Sequence, residues 1–102
     1  EVGLLSRSIT LSSPLEAEKT KRGGHVHVRG EARMRGVLAF RMGQTNVIAA
    51  YPFHFHLLGP AYKSYVQDCA VWRSFYRGVV LHGTSQTTVA DTVAFDVTGS
   101  CF

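Results

Sequence analysis

Residues 51–59 read Tyr-Pro-Phe-His-Phe-His-Leu-Leu-Gly, and this stretch decides which fold the sequence predicts. Side chains of an extended strand point alternately to its two faces, so the two phenylalanines share one face and His54 and His56 share the other. Proline and glycine bound the run, as they commonly bound a strand. The stretch therefore predicts a β-strand with one apolar face and one histidine face.

Two other segments match this strand. Residues 24–30 (Gly-His-Val-His-Val-Arg-Gly) match its last seven residues at an offset of 29 positions, and residues 79–82 (Val-Val-Leu-His) match its Phe-His-Phe-His part at an offset of 26. These offsets place His27 and His82 in register with His56. Three similar strands with histidines in register predict a stacked repeat.

A second pattern, of alternating apolar residues, recurs four times along the chain. Its members are residues 5–11, 34–40, 66–72 and 89–95, at offsets of 29, 32 and 23 positions. A core period in the low twenties, with connections of variable length, is typical of a β-solenoid whose coils stack about 4.8 Å apart. A β-sandwich also has short alternating strands, but it does not require the same pattern at the same phase in every coil. The repeat therefore favours the solenoid.

These patterns predict an all-β protein, a right-handed parallel β-helix of roughly four coils that occupies residues 1–102 and has no long helix. Two polar stretches, residues 15–22 and 43–50, are predicted to be excursion loops between strands. The chain begins with Glu1 instead of methionine and ends in an apolar run. We therefore expect a piece of a longer solenoid, with the rest of its own longer chain as a partner.

Composition narrows the classes of partner. The formal charge of +4 and the pI near 9.4 make the chain basic, yet its positive residues are scattered and no nucleic-acid-binding motif accompanies them. Nucleic acid is therefore not expected, whereas an acidic polysaccharide or an anionic surface would suit the charge. The sequence has no run of about 18 apolar residues and no signal-peptide pattern, so membrane contact is expected only through segments outside these residues. Cys69 and Cys101 are expected to be core residues.

The histidine face is the strongest candidate for chemistry. If the phenylalanines point inward, His54, His56 and His82 point outward on one face. Residues i and i+2 of a strand lie about 6.5–7 Å apart, and neighbouring coils about 4.8 Å apart. Three imidazoles at this spacing could bind one divalent metal and leave one position open for water. The alternative is an exposed ladder of histidines that bind each other and water.

Acidic and aromatic residues carry weaker signals. Asp68 and Asp91 stack where the chain must bend, which favours a role in turns over the paired-acid chemistry of glycan hydrolysis. Trp72 and Phe95 occupy matched positions in adjacent coils. This match favours an internal aromatic stack over a sugar-binding platform.

Several motifs resemble one known family. They are Tyr-Pro-Phe-His-Phe-His at 51–56, Ser-Tyr-Val at 64–66, Ser-Phe followed by Arg77, and Val-Leu-His-Gly-Thr at 80–84. Over nearly its whole length the chain resembles the parallel β-helix region of the family that comprises the cell migration-inducing hyaluronan-binding protein, the related cell-surface hyaluronidase and the fibrocystin-like receptors. The resemblance implies a large extracellular ectodomain at the cell surface, which in some members is at a ciliary membrane.

The resemblance implies two functions of different classes. The first is a rigid spacer and a glycan- or protein-binding surface of a cell-surface protein, and the second is part of a hyaluronidase-like ectodomain that degrades polysaccharide. Family members often have arginine where this chain has Ala50, and Gly-His where it has Gly-Ser at 99–100, and both differences favour the spacer. Whether the chain is part of an enzyme stays open.

Two arginines are candidate contacts for an anionic glycan. Arg73 and Arg77 are predicted to lie at exposed positions near the strand that carries His82. A guanidinium there could bind the carboxylates of an acidic polysaccharide. The alternative is that both are ordinary solvated charges.

Overall fold

The computed structural model describes residues 2–102, which contain ten β-strands and one helical turn. The helical turn, α1, spans Ala17–Thr20. The strands in chain order are β1 (Ile9–Ser12), β2 (Val26–Val28), β3 (Arg33–Arg35), β4 (Val37–Phe40), β5 (Phe53–Pro60), β6 (Tyr65–Gln67), β7 (Ala70–Ser74), β8 (Val79–Ser85), β9 (Thr88–Ala90) and β10 (Val93–Val97). All pairs of these strands are parallel.

The strands form three sheets, which the chain visits in rotation. They are a four-stranded sheet in the order β1-β4-β7-β10, a histidine sheet in the order β2-β5-β8, and a third sheet in the order β3-β6-β9. This is the parallel β-helix that the sequence predicts. It completes about three coils instead of four, because each of the four similar segments in the sequence contributes one strand to the four-stranded sheet, and four stacked strands span only three turns.

The register of the histidine sheet confirms one sequence match and corrects the other. His56 lies opposite His82, as the offset of 26 predicts. His27, however, lies opposite His54 instead of His56, so the predicted offset of 29 is wrong by two residues. A shift of two residues keeps the same side chains on the same face, so the pattern match alone could not distinguish the two pairings.

In the four-stranded sheet, the predicted register between β1 and β4 is wrong by one residue. Ile9 pairs with Val37, whereas the predicted offset of 29 places it opposite Leu38. A shift of one residue exchanges the two faces of a strand. Ile9 and Leu11 therefore share the face of Val37 and Ala39, and they remain exposed because β1 is the edge strand of its sheet.

The hydrophobic core lies between the three sheets. Phe53, Phe55, Val66 and Val71 are fully buried there. Other core members include Val28, Val37, Ala39, Met42, Cys69 and Val79. Cys69 is thus a core residue, as the sequence predicts, and its thiol contacts the Gln67 carbonyl oxygen at 3.3 Å.

The aromatic ladder of the four-stranded sheet lies outside this core. Ala39 and Val71 point inward, so their neighbours Phe40 and Trp72 point outward, with ring centroids 4.8 Å apart. Phe95 pairs with Trp72 and is 58% exposed. The predicted internal stack is therefore wrong.

Residues with a left-handed backbone at the bends explain why Trp72 and Phe95 point outward instead of inward. Gly36, Asp68 and Asp91 have φ of 66°, 51° and 49°, and they stand between the strands of the third sheet and those of the four-stranded sheet. Glycine and aspartate tolerate this conformation better than most residues. The positive φ values of Asp68 and Asp91 confirm the turn role predicted for them. Because the bend interrupts the alternation, Met34 and Val37 both face the core although they are three positions apart, which would place them on opposite faces of one regular strand.

The two predicted excursion loops lie side by side. Residues 15–22 contain α1, whose Ala17 is buried, and Lys21 closes it with a left-handed backbone. Arg22 forms an antiparallel bridge with Gln44 of the second loop. Residues 43–50 then lead into β5 and pass over its outward face. Within residues 2–102, no helix has the length and apolar character needed to cross a membrane.

Candidate functional site

Four histidines cluster on the outward face of the histidine sheet. His27 comes from β2, His54 and His56 from β5, and His82 from β8. The parallel register places His27 beside His54 and His56 beside His82 on neighbouring coils. Alternation then directs all four side chains away from the buried phenylalanines of β5.

Each of the four rings lies close to at least two of the others. His27 and His54 stack with centroids 4.8 Å apart and an interplanar angle of 17°. The His56 ring is nearly perpendicular to them, at 5.1 Å from His27 and 5.0 Å from His54. His82 lies 4.8 Å from His56 and 6.1 Å from His54. The structure therefore brings together the three histidines that the sequence predicts as ligands, and it adds His27.

His54 is covered by the loop that precedes its strand. Only 1% of its surface is exposed, so the expectation that it lies on an exposed face is wrong. Its Nδ1 lies 3.0 Å from the carbonyl oxygen of Ala49, and the Tyr51 ring packs on it at 5.0 Å between centroids. Because a carbonyl oxygen only accepts hydrogen bonds, Nδ1 carries the proton and Nε2 carries the free lone pair.

The outer pair of histidines share a hydrogen bond. Nδ1 of His56 and Nδ1 of His82 are 3.1 Å apart, so one ring donates an N–H to the other. His56 is half-buried and His82 is exposed. Solvent exposure therefore increases across the cluster, from the buried inner end at His54 to the exposed outer end at His82.

Burial and mutual repulsion lower the pKa values of two histidines of the cluster, His54 and His56, and so favour their neutral forms. Burial lowers the pKa of His54, and the nearby His27, His56 and His82 lower it further, against the opposing effect of the Ala49 hydrogen bond. The pKa of His56 is also lowered, first by desolvation and then by the charges of His82, His27 and Arg29. Neutral imidazole is the form that binds metals, so these shifts favour binding near neutral pH.

A cleft of about 280 Å³ opens beside the cluster, and we call it the histidine cleft. It is lined by Ile48, Ala49, Tyr51, His54, His56, Arg77, Val80, Leu81 and His82. The Arg77 guanidinium lies 5.4 Å from the Tyr51 ring centroid and 5.7 Å from that of Tyr76. None of the ion pairs among residues 2–102 involves Arg77, so its charge is available to a ligand.

The second predicted glycan contact, Arg73, lies elsewhere. Its guanidinium bonds to Glu18 at 3.1 Å and to Asp96 at 3.3 Å, and Arg41 approaches the same Glu18 at 4.0 Å. We call these four residues the charged corner. Hydrogen bonds to Glu18 and Asp96 raise the pKa of Arg73. The structure therefore places Arg77 at the cleft and Arg73 in an ion-pair network.

Comparison with known proteins assigns the family. Residues 21–102 match the family described as CEMIP beta-helix. The chain belongs to the CEMIP β-helix family. This membership agrees with the resemblance seen in the sequence motifs and with the parallel coils of the structure. No solved structure matches the chain significantly.

Members of the CEMIP β-helix family with similar sequences come from distant organisms. Protein rliB of Dictyostelium discoideum is 47% identical over 102 residues, which is all of this chain and 9% of that protein. Communication mutant protein F of the same organism is 45% identical over 103 residues, again 100% of the chain and 9% of the protein. Mouse fibrocystin-L is 37% identical over 71 residues, 69% of the chain and 2% of that protein. The chain thus spans less than a tenth of these relatives.

Two residues of the site, His27 and Tyr51, are not among those that the sequence predicts. His27 belongs to the predicted repeat but not to the predicted ligand set, and the structure pairs it with His54 instead of His56. Tyr51 stood in the Tyr-Pro-Phe-His-Phe-His motif without an assigned role, and the structure packs it between His54 and Arg77. An aromatic residue two positions before the strand that carries the histidines is the signal for this covering side chain.

Proposed function

We propose that this chain is an extracellular β-helix segment that acts as a rigid spacer and binds an acidic polysaccharide in the histidine cleft. The observation that carries the proposal is the Arg77 guanidinium, which lies over two tyrosine rings at the cleft and has no ion-pair partner among residues 2–102. The extracellular, cell-surface location rests on family membership. A ciliary location stays a prediction.

The chemistry of the cleft suits a sugar acid. A planar guanidinium binds a carboxylate with two parallel hydrogen bonds, and the tyrosine faces hold it in place by cation–π attraction. The exposed His82 ring offers a hydrogen bond to a hydroxyl group at the open end. The cleft volume of about 280 Å³ accommodates one or two sugar rings of a longer chain.

The stacked sheets support the proposed spacer role. Leu81 faces inward beside Val79, yet it is 39% exposed because no further coil covers β8 in these residues. It lines an apolar cavity of about 460 Å³, which Phe102 borders. An uncovered core face and the unpaired edges of the outer strands favour stacking of further coils from the same longer protein.

Binding is better supported than cleavage. Hydrolysis of glycosidic bonds by general acid and base usually requires two carboxyl groups that flank the scissile bond. The residues that line the histidine cleft include no Asp or Glu within the part of the chain that the structure describes. A hyaluronidase-like activity would therefore need catalytic groups from other parts of the protein.

A binding experiment with hyaluronan oligosaccharides tests this function. We expect the full-length protein to bind them, and Arg77→Ala to weaken binding about tenfold or more, in line with the loss of a charge-assisted hydrogen bond. Arg33→Ala is the matched control, because Arg33 is exposed on the third sheet and pairs with Glu31. Equal affinity of the wild type and Arg77→Ala would contradict the proposal. A loss of hyaluronan chain length would instead support the enzyme alternative.

A further inference from the structure

The histidine cluster contains two ring nitrogens that the fold leaves without a partner. Nε2 of His27 and Nε2 of His54 are shielded from solvent, and neither has a hydrogen-bond partner. Buried polar atoms are nearly always paired, because an unpaired one costs stability. Two such atoms in adjacent, stacked rings indicate a ligand that binds both.

We propose that His27, His54 and His56 bind one divalent transition-metal ion of the zinc class. One ring nitrogen from each residue lies within 4.8 Å of the other two. In a tetrahedral site with Zn–N bonds of about 2.1 Å, ligand nitrogens are about 3.4 Å apart. Small rotations of the three side chains would close this difference.

The partners of His54 prepare it as a ligand. Its Nδ1–H donates to the Ala49 carbonyl oxygen at 3.0 Å, so the lone pair of Nε2 is directed away from the loop. Histidine ligands of metals commonly donate their other N–H to a carbonyl or carboxylate in this way, which fixes the tautomer and orients the ring. The excursion loop at 43–50 therefore serves as the outer support of the site.

His82 acts as a positioning residue for His56. If the Nδ1–H of His56 donates to Nδ1 of His82 across 3.1 Å, Nε2 of His56 keeps its lone pair for the metal. His82 then accepts the Nδ1–H of His56, as the Ala49 carbonyl oxygen accepts the Nδ1–H of His54. This assignment differs from the sequence-based ligand set of His54, His56 and His82, because the observed register brings His27 to His54.

The donor set selects the class of metal. Imidazole nitrogens suit Zn²⁺, Cu²⁺ and Ni²⁺, whereas Ca²⁺ and Mg²⁺ prefer oxygen ligands. The three-residue group contains no carboxylate. Three histidines leave one coordination position for water or for a ligand that enters from the cleft.

Metal binding to the full-length protein tests the site. We expect chelator-treated wild type to bind one more equivalent of Zn²⁺ than His54→Gln, His27→Gln or His56→Gln, as measured by isothermal titration and by elemental analysis after dialysis. Co²⁺ should give the visible absorption of a tetrahedral site in the wild type and in none of these three variants. These measurements contain no glycan, so their outcome is independent of the polysaccharide proposal.

Two controls keep the test decisive. His25→Gln removes an exposed histidine from outside the strands, next in sequence to the cluster, and it should retain the full metal content. Circular dichroism of each variant establishes folding, and because three separate ligands are replaced, the loss of one variant to misfolding leaves two. Equal metal content in the wild type and the folded ligand variants, or an equal loss in His25→Gln, would overturn the proposal.

The role of His82 has its own readout. We expect His82→Ala to weaken Zn²⁺ binding about 10–100-fold while retaining the tetrahedral Co²⁺ spectrum, as loss of an outer-shell partner does. His82→Asn should restore most of the affinity, because its side-chain oxygen can accept the hydrogen bond from His56. If His82→Asn is as defective as His82→Ala and the spectrum changes, His82 is itself a ligand and the positioning role is wrong.

Discussion

The histidine cleft and the charged corner are both outward surfaces of stacked parallel coils, yet they differ in how completely their polar groups are paired. At the charged corner, Arg73 bonds to both Glu18 and Asp96. In the histidine cluster beside the cleft, Nε2 of His27 and of His54 have no partner although both are shielded from solvent. A cluster of polar side chains on an outward surface is therefore not enough to indicate a site. The unpaired atoms under a covering loop distinguish the cleft.

The largest expected effect separates the two faces of the strands. Phe53→Ala removes a fully buried core ring, and we expect a loss of about 3–5 kcal/mol in the free energy of unfolding. Phe95→Ala is the matched change on the outward ladder, where the ring is 58% exposed, and it should cost less than about 1 kcal/mol. Urea denaturation of both variants measures the difference. Equal losses would show that the outward ladder is packed as tightly as the core.

The next effect lies within the cleft itself. His54→Ala removes a buried ring and its hydrogen bond to Ala49, so we expect a loss of about 1–3 kcal/mol in buffer with chelator. His82→Ala changes an exposed residue and should cost less than about 0.5 kcal/mol. Thermal denaturation without metal compares the two. A larger loss in His82→Ala would reverse the gradient of burial described for the cluster.

The cleft also predicts a pH dependence that the charged corner does not share. Because the folded protein lowers the pKa of His54 and His56, the unfolded chain binds more protons below the ordinary histidine pKa of about 6.5. Their contribution to stability is therefore full above about pH 6.5 and is lost as the pH falls toward their folded-state pKa values.

Denaturation midpoints between about pH 7.5 and 5.5, again with chelator, measure this dependence. We expect a steeper fall in the wild type than in a variant with both His54→Gln and His56→Gln. His25→Gln should follow the wild type. A double variant with an unchanged slope would mean that other groups cause the fall.

The smallest effect concerns the charged corner. Arg73 and Glu18 are partly exposed, so their pairing should contribute about 0.2–1 kcal/mol in a double-mutant cycle with Arg73→Ala and Glu18→Ala, and less at high salt. The same cycle for the more exposed pair of Arg33 and Glu31 should give a value at or below this range. A coupling that does not change with salt would contradict the exposed character of the corner.

Much of the fold could be predicted from repeated patterns, but the details of pairing could not. The offsets of 23, 26 and 32 positions correspond to the observed registers. The offset of 29 failed for His27, since a two-residue shift preserves the faces of a strand. The lengths of the connections between β2 and β5, and the way residues 43–50 lead into β5, decide that register. Neither can be read from the alternation of apolar and polar residues.

Local sequence patterns are enough to predict the parallel β-helix, the inward phenylalanines of β5, the turn role of Asp68 and Asp91 and the presence of a histidine surface. These properties depend on local alternation and on backbone preferences of single residues. Long-range packing in the folded chain places His27 beside His54, buries the His54 ring under Ala49 and Tyr51, and gives Arg73 and Arg77 different surroundings. Those outcomes depend on contacts between coils and loops distant in sequence, where no local preference specifies the partner.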